Sequence, residues 1–177
     1  MRKKSVSLLI GLVFLFSSLT ADSESFRFDR IGFRAGMDAE SGVNIESYEI
    51  FGVVATPWLW DLKEDWKLLF EFEWSAGVFD GEGETAGFFK FAPQLRFQAP
   101  KLPVHVILSS GPSLITEDKF GKLDLGGVFQ FTSAVGIDWQ INESWTVGYR
   151  FQHISNAGIY SNNDGLDLHS LSVDFRF

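Results

Sequence analysis

Trp145-Thr146-Val147-Gly148-Tyr149-Arg150-Phe151-Gln152-His153-Ile154-Ser155 is the stretch whose reading decides the fold. Its odd positions, Trp145, Val147, Tyr149 and Phe151, are apolar, while Thr146, Gly148, Arg150 and Gln152 between them are small or polar. Successive strand residues point to opposite faces, so this pattern makes a β-strand with one apolar and one polar side. From Trp145 to Ser155 the chain advances about 33 Å. A tilt near ~40° turns that length into ~25 Å of height, the apolar band of a membrane barrel. Strands of soluble proteins are usually about five or six residues long.

The same alternation recurs along the chain. Trp66, Leu68, Phe70, Phe72 and Trp74 share one parity, as do Phe89, Phe91, Pro93, Leu95 and Phe97, and again Phe129, Phe131, Ser133, Val135, Ile137 and Trp139. Such segments number eight, at 26–37, 45–57, 66–79, 86–98, 104–115, 126–139, 145–156 and 166–177. The first is irregular: Phe26 and Phe28 lie on one parity, and Ile31, Phe33, Ala35 and Met37 on the other, so a bulge is expected near Arg30. Connections around 60–65, 99–103 and 140–144 are short, with Asp61, Pro100, Pro103 and Asn142 as breakers. Those around 38–44, 80–85, 116–125 and 157–165 read as longer and rich in Gly, Asp, Glu and Asn. Trp58, Trp60, Trp66, Trp139 and Trp145 stand at segment ends, where interfacial girdles form. The expected fold is all-β: an eight-stranded antiparallel transmembrane β-barrel of the outer membrane, its termini in the periplasm and its longer loops outside. The closing run Val173-Asp174-Phe175-Arg176-Phe177 alternates to a final aromatic, which resembles the signal read by outer-membrane assembly machinery.

Composition narrows the function. The 177 residues are 45% hydrophobic and 16% aromatic, which excludes a disordered or fibrous chain. The absence of Cys excludes disulfides, thiolate metal sites and a cysteine nucleophile. Arg2, Lys3 and Lys4, the apolar run Ser5–Leu19 and Thr20-Ala21 form the three parts of a secretory signal peptide. The expected division is therefore 1–21 as leader and 22–177 as barrel. The net charge is −8, and losing the leader's three basic residues makes it more negative, which argues against nucleic acid as a partner. His105, His153 and His169 lack metal-ligand spacing with carboxylates, so no metal or other cofactor is expected.

An eight-stranded barrel is just wide enough for side chains to fill. The inward set includes Glu71, Glu73, Lys90, Arg96, Asp138, Arg150, Asp174 and Arg176, both signs together, which suits an ion-paired plug rather than a channel. Chemistry is then expected on the loops or the outer wall. Two further steps along the outward parity of 145–151 reach His153 and Ser155. Counted back from Phe177, the outward parity of the last segment reaches His169 and Asp167. Polar groups facing lipid lose solvation, so packing does not account for them. The two strands run oppositely, which brings His153, Ser155 and Asp167 near one another at the outer rim. A hydroxyl, an imidazole and a carboxylate together make a hydrolase triad. The alternative on parity alone is that these residues bond lipid headgroups.

His153-Ile154-Ser155-Asn156-Ala157-Gly158, a spacer, Asn163-Asp164-Gly165-Leu166 and an acid at 167 resemble the C-terminal signature of the lipid A 3-O-deacylases, the PagL family. The resemblance covers about the last thirty residues. It implies a serine esterase that removes the 3-O-linked acyl chain of lipid A, with lipopolysaccharide as substrate, the outer membrane as location, and a compatible homodimer. It implies His153 as base, Ser155 as nucleophile, oxyanion duty for the Asn156–Gly158 segment and an orienting role for Asn163. The family pattern has Glu as the third member where this chain has Asp167. Asp164 is the rival acid, and His169 the lesser candidate for the base. Another outer-membrane lipid enzyme, phospholipase or acyltransferase, and a non-catalytic barrel for adhesion or membrane integrity are the other readings.

Overall fold

The computed structural model describes residues 25–40 and 42–177; the leader assigned to 1–21 lies outside them. Eight long strands close into an antiparallel barrel: β1 (Arg27–Asp38), β2 (Ile45–Asp61), β3 (Lys67–Gly81), β4 (Glu84–Gln98), β5 (Val104–Ile115), β8 (Phe129–Gln140), β9 (Trp145–Ser155) and β10 (Leu166–Arg176). Two short strands, β6 (Lys119–Phe120) and β7 (Leu123–Asp124), form a separate hairpin between β5 and β8. The barrel order is β1-β10-β9-β8-β5-β4-β3-β2, so sequence neighbours pair and the first and last long strands close the ring. This is the outer-membrane type of transmembrane barrel, with no sheet edge left open to lipid. The irregularity foreseen in the first strand is a register shift between Phe28 and Arg30.

Register fixes the tilt. Partners followed from Gln130 through Ser113, Lys90, Ser75, Phe51, Gly32, Asp174 and Thr146 return to the starting strand at Gln140. One circuit thus slips about 33 Å along the strand while crossing eight strands ~4.8 Å apart, which sets a tilt of about 41°. The slip has a direction. Each step from β10 to β9 to β8 to β5 descends ~3 Å toward the rim that carries the short turns.

The interior has two zones. Toward the short-turn rim, Arg30 contacts Glu71 at 2.8 Å, and Asp138 receives both Arg96 at 2.7 Å and Arg150 at 2.6 Å. Above them, Arg34 bridges Glu49 at 2.8 Å and Glu73 at 3.0 Å, while Lys90 reaches Glu49 at 2.7 Å and Gln152 at 2.8 Å. A void of about 10 Å³ among Arg34, Glu73, Lys90 and Gln152 has room for one water at most, so it is no channel. All eight inward charges foreseen are here, but Arg30 and Arg34, which organise the two clusters, sit in the irregular first strand. The other zone, at the long-loop rim, is apolar. Ile45, Phe79, Phe88, Ile115, Ile154, Leu166 and Leu168 are buried there, and Phe120, Leu123 and Leu125 of the β6–β7 hairpin close it. The Phe79 and Phe88 rings stack at 4.2 Å.

Two expectations need correction, and a third gains detail. The connection read as long at 80–85 is a two-residue turn, because Glu82 (φ 55) and Gly83 (φ 87) both adopt the left-handed conformation that a tight hairpin requires. The segment 116–125 is long, as expected, and folds as a hairpin cap in which the cross-strand partners Phe120 and Leu123 bury against the apolar zone. The five Trp residues at strand ends all stand at the short-turn rim, exposed on the outer surface, so they make one girdle, not two.

Candidate active site

Outward parity holds to the end of β9. Ile154 is 1% exposed and faces the interior, while His153 keeps half its side-chain surface. Asp167 is the register partner of His153 across β9 and β10, and its Oδ1 lies 2.6 Å from Nδ1 of the ring. With Nδ1 bound to a carboxylate, the ring's protonation is directed to that nitrogen and Nε2 is left as the basic lone pair. Ser155 is two residues farther on the same face, half-buried, and is the last residue of β9. The three predicted triad members therefore share one patch of the outer wall, at the long-loop rim.

The rival assignments go elsewhere. The Asp164 carboxylate accepts the backbone N–H of Asp124 at 2.8 Å and does not face His153. His169 also faces outward, but its Nδ1 is 2.6 Å from the Tyr149 hydroxyl. His105 is buried in the interior, 3% exposed. Among the described residues no cluster of His, Asp and Glu has the arrangement to hold a metal ion.

The loop after Ser155 is built by Asn156. Ala157 (φ 53) and Gly158 (φ 80) turn the chain in the left-handed region, and the Ile159 N–H donates to the Asn156 carbonyl at 3.1 Å. The Asn156 side chain is fully buried. Its Nδ2 donates to the carbonyls of Leu125 (2.8 Å) and Asn162 (2.6 Å), and its Oδ1 accepts from the Gly158 N–H at 2.8 Å. Asn163 Oδ1 accepts the backbone N–H of Asn156 at 2.9 Å. Asn156, Gly158 and Asn163 thus interlock, as a frame next to Ser155. The Asn156 amide and the Gly158 N–H are spent inside it, whereas among the described residues Asn163 engages its oxygen alone and keeps the Nδ2 donors for another acceptor.

Two residues escaped the sequence reading. Gly165 (φ +75) lies against the catalytic-type imidazole, where an added Cβ would stand 3.2 Å from His153 Cε1. The Asn163-Asp164-Gly165 signature contains it, but only the fold shows what it faces. Asp124 ties the cap hairpin to the loop: its Oδ2 accepts from Asn162 Nδ2 at 2.7 Å, and its backbone pairs with Asp164 in both directions. Its carboxyl is held below the usual carboxylate range by hydrogen bonds from Lys119 and Asn162. No local motif marks Asp124.

Comparison with known proteins places the chain. The sequence profile described as Lipid A 3-O-deacylase (PagL) matches residues 48–176. The lipid A deacylase PagL of Bordetella bronchiseptica is 33% identical over 67 residues, covering 38% of each chain. That of Pseudomonas aeruginosa is 29% identical over 104 residues, covering 55% of this chain and 60% of its own. The matched stretches thus span less than two thirds of these relatives. The crystal structure of the outer membrane enzyme PagL superposes with a TM-score of 0.73 at 18% identity, over 82% of this chain and 97% of that one. The N-terminal β-barrel domain of Pseudomonas aeruginosa OprF superposes at 0.54 and 14% identity, over 84% and 97%, a likeness of fold alone. The profile match runs through seven of the eight long strands and the whole His153–Asp167 patch, and the chain belongs to the lipid A 3-O-deacylase (PagL) family.

Proposed function

We propose that this protein is a serine esterase of the outer membrane that hydrolyses the 3-O-linked acyl chain of lipid A. The observation that carries the reading is the 2.6 Å His153–Asp167 bond on the lipid-facing wall, with Ser155 next on that face. A hydrogen-bonded imidazole and carboxylate of this kind have no packing role on an apolar wall, and family membership supplies the substrate class.

The residues divide the chemistry between them. Ser155 Oγ attacks the ester carbonyl while His153 Nε2 takes its proton, and Asp167 holds the imidazole tautomer and stabilises the imidazolium. The negative charge that develops on the carbonyl oxygen meets the Asn163 Nδ2 donors. The intermediate collapses as the carbonyl–oxygen bond to the sugar breaks, and His153 returns the proton to the sugar oxygen. Water, deprotonated by His153, then attacks the acyl-serine, releasing a fatty acid and free Ser155. Asn156 and Gly158 position this assembly. The packed interior leaves the acyl chains only the outer wall, where lipopolysaccharide already lies.

The test is mass spectrometry of lipid A from cells expressing the wild type, Ser155→Ala or His153→Asn, with barrel assembly checked by heat-modifiable gel mobility. The wild type alone should remove one acyl chain. An unchanged lipid A profile with assembled wild-type barrel refutes the esterase, and an added chain replaces it with acyl transfer.

A further inference from the structure

Gly127 continues the outward parity of Phe131 and Phe129 past the upper end of β8. A Cβ there would stand 2.5 Å from Cε2 and Cζ of Tyr160 and 2.8 Å from Cδ2. Three ring atoms at so nearly one distance mean that the phenol lies flat on the glycine, a close approach that any side chain would prevent. The edge of the ring is fixed as well, because its hydroxyl oxygen accepts the Phe129 N–H at 3.3 Å. Behind it, the Tyr160 N–H donates to Oδ1 of the buried Asn156 at 3.4 Å, the oxygen that also holds Gly158. The residue after Ser155 thus sets the backbone of Tyr160. β8 covers one face of the half-buried ring, and the other looks away from the wall.

Register gives the ring its place. Phe131 is the partner of Ser155, one strand across and ~3 Å lower. Gly127 is four residues above Phe131, a rise of ~10 Å at this tilt, so it stands ~7 Å higher than Ser155. Both steps lean the same way round the barrel, which puts Gly127 ~12 Å to the side. Spanning Gly127 and Phe129, the ring is centred ~10 Å to the side of the nucleophile and ~5 Å above it. That is the level of the sugars, not of the acyl chains. The sugar whose ester meets Ser155 is joined to the attacked carbon through a single oxygen and ends short of the ring. A second sugar linked to the first reaches it.

We propose that Tyr160 is a sugar platform, whose outer face stacks the second glucosamine of the lipid A disaccharide while the ester on the first meets Ser155. The proposal rests on the esterase reading and adds which part of the headgroup that site reads. An aromatic face is electron-rich, and a sugar ring turns toward it a face of slightly positive C–H bonds. Because Gly127, Phe129 and Asn156 hold the ring before substrate arrives, little ordering is left to oppose binding. Tyr160 touches substrate without taking part in bond making.

The experiment measures kcat and KM of the purified barrel in detergent micelles for two esters with the same acyl chain, one on a single glucosamine and one on a glucosamine disaccharide. Wild type should favour the disaccharide, through KM. Tyr160→Ala should lower that preference about three- to tenfold, the scale of one aromatic contact. Tyr160→Phe, which keeps the ring, should retain it. Gly127→Ala, which lifts the ring without altering it, should also lower the preference, and it decides the matter if the Tyr160→Ala barrel fails to assemble by heat-modifiable mobility. No preference in the wild type, or equal losses on both esters in the variants, overturns the platform and leaves the esterase standing. Cleavage of neither ester by the wild type refutes the esterase and the platform with it.

Discussion

Gly165→Ala separates the geometry of the imidazole from the stability of the barrel. At φ +75 an Ala costs about 1 kcal/mol of backbone strain. Its Cβ would also stand 3.2 Å from His153 Cε1, tighter than most real contacts, so the ring must yield by a few tenths of an ångström. The ring is held to Asp167 at 2.6 Å, so on the proposed mechanism a shift turns Nε2 away from the serine it serves. Misplacing a reacting group by 1 Å costs up to ~10²-fold, so this smaller shift should lower kcat about three- to tenfold. Gly165→Val, branched at the clashing atom, should cost more than ~10²-fold. Gly83→Ala is the control, because Gly83 (φ +87) pays the same strain with nothing within 4 Å of its Cβ. Ester turnover in micelles and urea unfolding in lipid vesicles should show both Ala variants losing similar stability while only Gly165→Ala loses kcat. Equal turnover in the two would refute the placement of the catalytic base at His153.

Asp167→Asn removes the charge that stabilises the imidazolium and lets the amide favour the wrong tautomer, so ester turnover should fall ~10²- to 10⁴-fold with the barrel still assembled. Asp164→Asn, which touches the Asp124 backbone instead, should lose less than about tenfold in the same assay. The depressed Asp124 carboxyl contributes stability above the ordinary aspartate value near ~4, and that contribution is lost as pH falls through its lower folded value. The protection factors against hydrogen exchange of the Asp124, Gly126 and Asp164 amides should therefore fall below about pH 4 and hold steady between roughly pH 5 and 7. Arg34→Met leaves the Glu49 and Glu73 carboxylates facing Lys90 alone, and urea unfolding should show ~3–5 kcal/mol less stability, with turnover of the folded fraction unchanged.

The strands were legible because a barrel wall imposes the simplest sequence pattern, and parity then located His153, Ser155 and Asp167 without coordinates. Two strands of opposite direction suffice to bring such a trio together when a single loop joins them. Features spread over three or more strands were not legible. Arg30 and Arg34 were missed because the register shift after Phe28 changes which parity points inward. Asp124 is 40 residues from its partner Asp164, and nothing in its own hairpin announces the pairing. The turn at Glu82-Gly83 was read as long because acidic and glycine residues suit both a tight hairpin and an open loop. The apolar upper zone shows in the sequence as Phe79, Phe88, Ile154, Leu166 and Leu168 on the inward parity, where a wholly ion-paired plug has no place for them.

The stagger of the barrel also explains how a carboxylate is tolerated on the lipid side. Along β9, His153 lies two residues below Ser155, which at this tilt is ~5 Å deeper in the membrane. Asp167 pairs with His153, and crossing from β9 to β10 climbs ~3 Å, so the acid returns to within ~2 Å of the serine's level. Had the strands been staggered in the opposite sense, the same pairing would have sunk Asp167 ~8 Å below Ser155, into hydrocarbon, where an ionised acid is costly. The handedness of the slip thus sorts the site by polarity. On the β10 side it lifts the charged member toward the headgroups.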